Sequence, residues 1–143
     1  MQIRAARPED ATKLQALWDD SNRELSFAPY EQSAFSTDLL TDHIALVAEQ
    51  AGAVIGSVYA ALPGADHGFV FGLYVVPSSR RQGVARALMT AVAEELQRHG
   101  RQFAVLSVDT PNAPARAMYE AMGFDDQARI LRAEVEDLLR IHS

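Results

Sequence analysis

The sequence predicts a mixed α/β domain with helices on both faces of one sheet, and three observations carry that expectation. Residues 44–49 and 54–62 are apolar runs separated by the turn residues Gln50-Ala51-Gly52-Ala53, which is a hairpin signal. Residues 69–76 form a continuous apolar run stopped by Pro77, as expected of a central strand buried on both faces. After Pro77 the period changes: Val84, Ala85, Leu88, Met89, Val92 and Leu96 recur at spacings of three and four, and residues 102–108 return to strand character. Strand, helix, strand in that order is a crossover, so the last strand should lie parallel to 69–76.

The remaining elements follow in chain order. Residues 1–7 read as an edge strand. Pro8-Glu9-Asp10 opens a helix with acids in its first turn, where they complement the helix dipole, and Leu14, Leu17, Trp18 and Ser21 then share one face. A weaker helical piece spans 31–42. Residues 112–122 are helical, with Gly123 as the C-terminal stop. Past Asp125 the pattern is poor: residues 128–135 are expected to finish the sheet as a strand, followed by a short helix, although Leu131, Val135 and Leu138 also fit a helix.

Composition bounds the function. The chain has 143 residues, 48% of them apolar and 22% charged, without a repeat or linker-like stretch, so a single domain over 1–143 is expected. There is no cysteine, which excludes a thiolate nucleophile and any cysteine-ligated metal, and no metal is expected. No stretch is apolar over a length that spans a bilayer, and a net charge of −6 argues against nucleic-acid or anionic-membrane partners; a cytoplasmic protein is expected.

The segment Pro77-Ser78-Ser79-Arg80-Arg81-Gln82-Gly83-Val84-Ala85-Arg86 joins the apolar strand to a helix N-terminus. Unpaired backbone N–H groups and the positive end of the dipole converge there, and a glycine lets an anion approach the backbone. The bland alternative is a helix start with solvated arginines. Arg80-x-x-Gly83-x-Ala85, preceded by Leu73-Tyr74-Val75-Val76-Pro77, resembles the [QR]-x-x-G-x-[GA] signature of the GNAT N-acetyltransferase superfamily. About thirty residues downstream, Asn112-x-x-Ala115-x-x-x-Tyr119-x-x-x-Gly123-Phe124 is similar to its later motif.

The resemblance implies a central, mixed, mostly antiparallel sheet of about six to seven strands, splayed between strands 4 and 5, with acetyl-CoA in the gap as acyl donor. Carried over by position, Leu73, Tyr74 and Val75 would offer backbone groups to pantetheine. Arg81, Gln82, Gly83, Val84, Ala85 and Arg86 would cradle the pyrophosphate, and Arg80 joins Arg81 and Arg86 in the basic cluster that a polyanionic cofactor needs. Asn112 would contact the cofactor from the opposite side, and Tyr119 would lie beside the thioester. Tyr119 is the candidate proton donor to the departing thiolate, against the alternative that it only packs. Many members place a carboxylate base near Gly72, and the ribosomal-protein alanine acetyltransferases carry a Glu five residues before the Asn. Here those positions are Gly72 and Ser107, so no base is legible and that subgroup is not expected. Asp109 reads as a helix cap, and His67 as a solvated loop residue that could reach the cleft.

In the superfamily the first two helices wall the acceptor site. From Asp19 to Asp42 this chain carries Asp19, Asp20, Glu24, Glu31, Asp38 and Asp42 against Arg23 alone, which suits a cationic amine. Trp18, Phe27, Tyr30 and Phe35 are candidates for the same wall. Direct attack of an amine on the thioester follows from the absence of cysteine. The rival from another class is a non-catalytic acyl-CoA-binding module, and a homodimer contact, if present, is expected within 125–143.

Overall fold

The structure is a computed structural model, and it describes residues 1–24, 35–108, 112–128, 131 and 133–141. Among them the backbone forms two compact units, residues 1–111 and 112–143. The first unit carries strands β1 (Gln2–Ala5), β2 (Ile44–Gln50), β3 (Ala53–Ala61), β4 (His67–Val75) and β5 (Phe103–Val105), with helices α1 (Ala11–Glu24) and α2 (Val84–Arg98). The second carries α3 (Ala113–Ala121) and α4 (Val135–Ile141). No helix of the described residues is long and apolar enough to cross a membrane.

The five strands lie in the order β1-β2-β3-β4-β5, antiparallel except for β4 and β5. The β2–β3 hairpin turns on Ala51 and Gly52, both at positive φ, a two-residue turn whose twist matches that of the strands. The parallel pairing of β4 with β5 across the α2 crossover is as expected from the sequence. Two expectations need correction. The strand with the most continuous burial is β3, whereas Phe71 and Leu73 of β4 are only half-buried. A run apolar on both faces therefore marked a strand whose second neighbour is short. Past residue 125 no described residue is in a strand, and the sheet has five strands among the described residues. The short helix expected after the 128–135 strand is α4, with Glu136 and Asp137 in its first turn and Arg140 in its last, the charge order a helix dipole favours.

Alternation along β3 sends neighbouring positions to opposite faces. A Cβ at Gly56 would meet Leu88 and Val84 of α2, while the Tyr59 ring packs edge-on to Trp18 of α1 at 5.5 Å. The helices thus cover opposite faces. Leu14 and Leu17 of α1 pack with Val47, Val54 and Tyr74, and Leu88, Val92 and Leu96 of α2 are equally buried. Each fully buried Leu or Val contributes roughly 1.5–3 kcal/mol. The weak helical piece read at 31–42 is a 3-10 turn at Thr37–Leu40, capped by Ser36; its residues 31–34 lie outside the described residues.

Candidate functional site

The site is built on β4, whose two ends differ. From His67 to Phe69 it pairs with β5 on one side and, at Phe69, with β3 on the other; after the Phe69–Val105 pair β4 has no strand partner on the β5 side among the described residues. The β3 pairing also changes there. Between Tyr59↔Phe71 and Ser57↔Tyr74, two steps on β3 oppose three on β4, so β4 carries a bulge. Gly72, at φ +65°, is its pivot, and its carbonyl accepts from Ser57 Oγ at 3.3 Å. A Cβ on Gly72 would lie 2.5 Å from Tyr59 Cδ2 and 3.2 Å from Trp18 Cζ3. The position where the resemblance led one to look for a carboxylate is therefore filled by two aromatic rings.

Beyond the bulge the backbone alternates. The Val76 N–H donates to the Ile55 carbonyl at 2.9 Å, which directs the Val75 carbonyl away from β3, and by the same alternation Leu73 faces that side while Tyr74 faces β3. Of the three residues expected to offer backbone groups, Leu73 and Val75 thus lie on the edge that β5 leaves, and Tyr74 contributes its side chain instead.

This edge runs into the turn before α2. Pro77–Ser79 makes one 3-10 turn, Arg81 sits at φ +63°, and Gly83 at φ +81° precedes the first helical residue, Val84. A left-handed arginine costs roughly 1–2 kcal/mol, a strain of the kind held at ligand-binding loops. Arg81, Gln82, Gly83 and Arg86 are exposed, and a Cβ on Gly83 would meet nothing within 4 Å. Ala85 is half-buried and the Val84 side chain is buried, so Val84 has only its amide to offer. Among the described residues Arg81 and Arg86 have no carboxylate partner. Arg80 differs from both: its Nε donates to the Val75 carbonyl at 2.9 Å, its Nη2 reaches both Glu24 oxygens at 2.9 and 2.8 Å, and its guanidinium lies 5.3 Å from the Tyr74 ring centre.

On the α1 face, Trp18, Phe35, Tyr59 and Phe71 form one aromatic cluster beside the bulge, with Tyr59 and Phe71 stacked at 5.5 Å. His43 joins it edge-on to Phe71 at 5.7 Å, and its Nδ1 is buried with no hydrogen-bond partner among the described residues. Sequence reasoning missed His43; the signal was its parity with Ala45 and Val47, which puts it on the α1 face. Asp19, Asp38 and Asp42 are exposed, Asp20 pairs with Arg23, and Phe27, Tyr30 and Glu31 lie outside the described residues. His67 is held by Asp66 at 2.9 Å and pairs with Phe103, at the opposite end of β4 from the bulge.

In the second unit Asn112 caps α3, its Oδ1 accepting from the Ala115 N–H at 3.2 Å. Tyr119 lies edge-on to Phe124 at 5.8 Å, and burial pushes its hydroxyl above the ordinary tyrosine value. Ser107 is exposed and Asp109 lies outside the described residues.

The chain is 38% identical over 61 residues, 43% of its own length, to the [ribosomal protein bS18]-alanine N-acetyltransferase of Escherichia coli K12, and the matched stretch spans 41% of that relative. Among solved structures it is similar to a putative acetyltransferase from Agrobacterium tumefaciens (17% identity, TM-score 0.78, 94% of this chain and 99% of that one). It is also similar to an aminoglycoside 6'-N-acetyltransferase from Acinetobacter haemolyticus (19% identity, TM-score 0.74, 94% and 97%). A predicted acetyltransferase from Clostridium acetobutylicum, solved with acetyl-CoA, shares the fold at 17% identity and TM-score 0.71, over 95% and 97%. The family model for the acetyltransferase (GNAT) family matches residues 9–124, and the chain belongs to that family.

Proposed function

We propose that the protein transfers an acetyl group from acetyl-CoA to a primary amine. The observation that carries the reading is the β4 edge: among the described residues it has no strand partner on the β5 side after Phe69, and it leads directly into a turn where Arg81 and Arg86 have no carboxylate partner. Pantetheine would pair with the open backbone groups of Leu73, since the Val75 carbonyl is taken by Arg80, and the diphosphate would sit on Arg81, Gln82, Arg86 and the first amides of α2 at Gly83, Val84 and Ala85. In a protein of net charge −6, such a local cluster is what a polyanion requires. The Val75 N–H is the candidate donor to the developing oxyanion, and Asn112 and Tyr119 are assigned to the donor by motif.

The acceptor is assigned as a cationic amine, on the aromatic cluster of the α1 face and on the exposed Asp19, Asp38 and Asp42. Deprotonating an amine of reference pKa near 10.4 at pH 7 costs roughly 4.6 kcal/mol, and neither Gly72 nor Ser107 supplies a base. Water is the carrier this reading assigns to that proton. Tyr119 is protonated at neutral pH, but full transfer to a thiolate of reference pKa about 8.5 is uphill by at least about 2 kcal/mol, so its role is hydrogen bonding to the departing sulfur. Attack is direct, because the chain has no cysteine to carry the acetyl group.

The absent carboxylates favour one second reading, a module that binds acyl-CoA without turnover. The experiment is thiol release from acetyl-CoA against polyamines, aminoglycosides, amino acids and peptides with an N-terminal alanine, with calorimetric CoA binding in parallel. Turnover on a cationic class supports the first reading. Binding without turnover on any class supports the second, and absence of binding overturns both.

A further inference from the structure

We infer that Glu24, Tyr74 and Arg80 form a clamp that positions the open end of β4, and that Arg80 serves this edge rather than the diphosphate. The inference rests on the donor site proposed above and assigns a separate task to one of its three arginines. Where β5 stops, the Val75 carbonyl would be left without a partner, and Arg80 Nε supplies one at 2.9 Å. On the other side of the same peptide group, the Val76 N–H bonds Ile55 at 2.9 Å. The Val75–Val76 peptide is thus pinned from both sides, which fixes the torsion that aims the neighbouring Val75 N–H.

Arg80 is held in turn. Glu24, the last residue of α1, accepts from Arg80 at 2.9 and 2.8 Å and from the Tyr74 hydroxyl at 2.8 Å. Tyr74 is buried, and burial together with the Glu24 carboxylate pushes its hydroxyl up to about 12, so it remains a donor across the working range. Its ring lies under the guanidinium. Side chains 42% and 43% exposed gain little stability from an ion pair, so a carboxylate, a ring and a carbonyl converging on one guanidinium serve orientation more than stability. A guanidinium so compensated also has less charge to offer a phosphate than Arg81 or Arg86, which have no carboxylate partner among the described residues.

The test separates the two tasks by the donor fragment. Affinities for CoA and for pantetheine, which lacks the diphosphate, are measured on the full chain by displacement titration, with thermal melting to confirm folding. Arg80→Ala should weaken both ligands by the same factor, about five- to tenfold for a lost charge-assisted bond, and Arg81→Ala or Arg86→Ala should weaken CoA alone by about as much. Glu24→Ala should reproduce Arg80→Ala, and the double variant should be no worse than either, as expected for residues acting as one unit. Glu24→Gln, which keeps an acceptor for both donors, should recover part of the loss. Loss of CoA affinity in Arg80→Ala with pantetheine affinity unchanged would make Arg80 a phosphate ligand and overturn the clamp. Failure of the unsubstituted protein to bind CoA would instead remove the donor site itself, and the clamp with it.

Discussion

Two arginines in this molecule are tied in similar ways and to different ends. Arg4 on β1 donates to both Asp10 oxygens at 2.8 and 3.0 Å and to Glu49 at 2.5 Å, and its side chain is 11% exposed. Arg80 makes a comparable set of bonds at 42% exposure. The first joins an edge strand to the start of α1 in a setting with little water, where an unpaired partner would be costly. The second lies where water screens it, so its loss should leave the fold in place and be felt in geometry. The comparison teaches that the same side-chain chemistry is structural or functional according to what surrounds it.

The largest expected effect falls at the functional end. Gly83→Glu places a carboxylate in the turn at φ +81°, where no side chain crowds it, so folding should cost only about 1–2 kcal/mol while CoA affinity falls by about a hundredfold or more. Calorimetry beside thermal melting checks this, and unchanged affinity would remove the turn from the site. At the structural end, Asp10→Asn should lower stability by about 2–4 kcal/mol in denaturant titration. Hydrogen bonds from Arg4 hold the Asp10 carboxyl below its ordinary value, so its contribution is fully present above about pH 4 and is lost as pH falls through the lowered value. The variant should therefore show a shallower loss of stability below pH 4 than the parent; identical profiles would mean that the ion pair contributes nothing there.

Gly72→Ala tests the bulge between these regions. Its Cβ would fall 2.5 Å from the Tyr59 ring at a positive φ, and a loss of about 2–3 kcal/mol is expected from strain and overpacking. Wild-type stability would show that Tyr59 and Trp18 yield easily and that a larger side chain is tolerated. The smallest effect on the fold is expected for Tyr119→Phe: stability should stay within about 1 kcal/mol while kcat falls about tenfold or more, and an unchanged kcat would take Tyr119 out of the chemistry.

Much of this was legible in the residues. The hairpin, the long helix from Val84, the crossover and the glycine turn all follow from local pattern, because each depends on period or backbone conformation at a few adjacent positions. The ion pairs of Arg4 and Arg80 were not, since they join residues 45 and 56 positions apart, to Glu49 and Glu24. For His43, just before β2, parity marked the face, but its contact with Phe71 of β4 was not legible. The basic cluster grouped Arg80 with Arg81 and Arg86 because a sequence shows a charge without showing its counter-charge. The described residues of the strand read at 128–135, which are 128, 131 and 133–135, are not in a strand for a related reason: a short apolar pattern fits either period until a pairing partner decides.

The measurement that tests the central claim most directly is a calorimetric titration of the unsubstituted protein with CoA, repeated with pantetheine and with the Arg81→Ala, Arg86→Ala double variant. One-to-one binding of CoA is expected, with weaker binding of pantetheine and loss of most of that difference in the double variant. No binding of CoA, or a double variant that binds CoA as tightly as the parent, would contradict it.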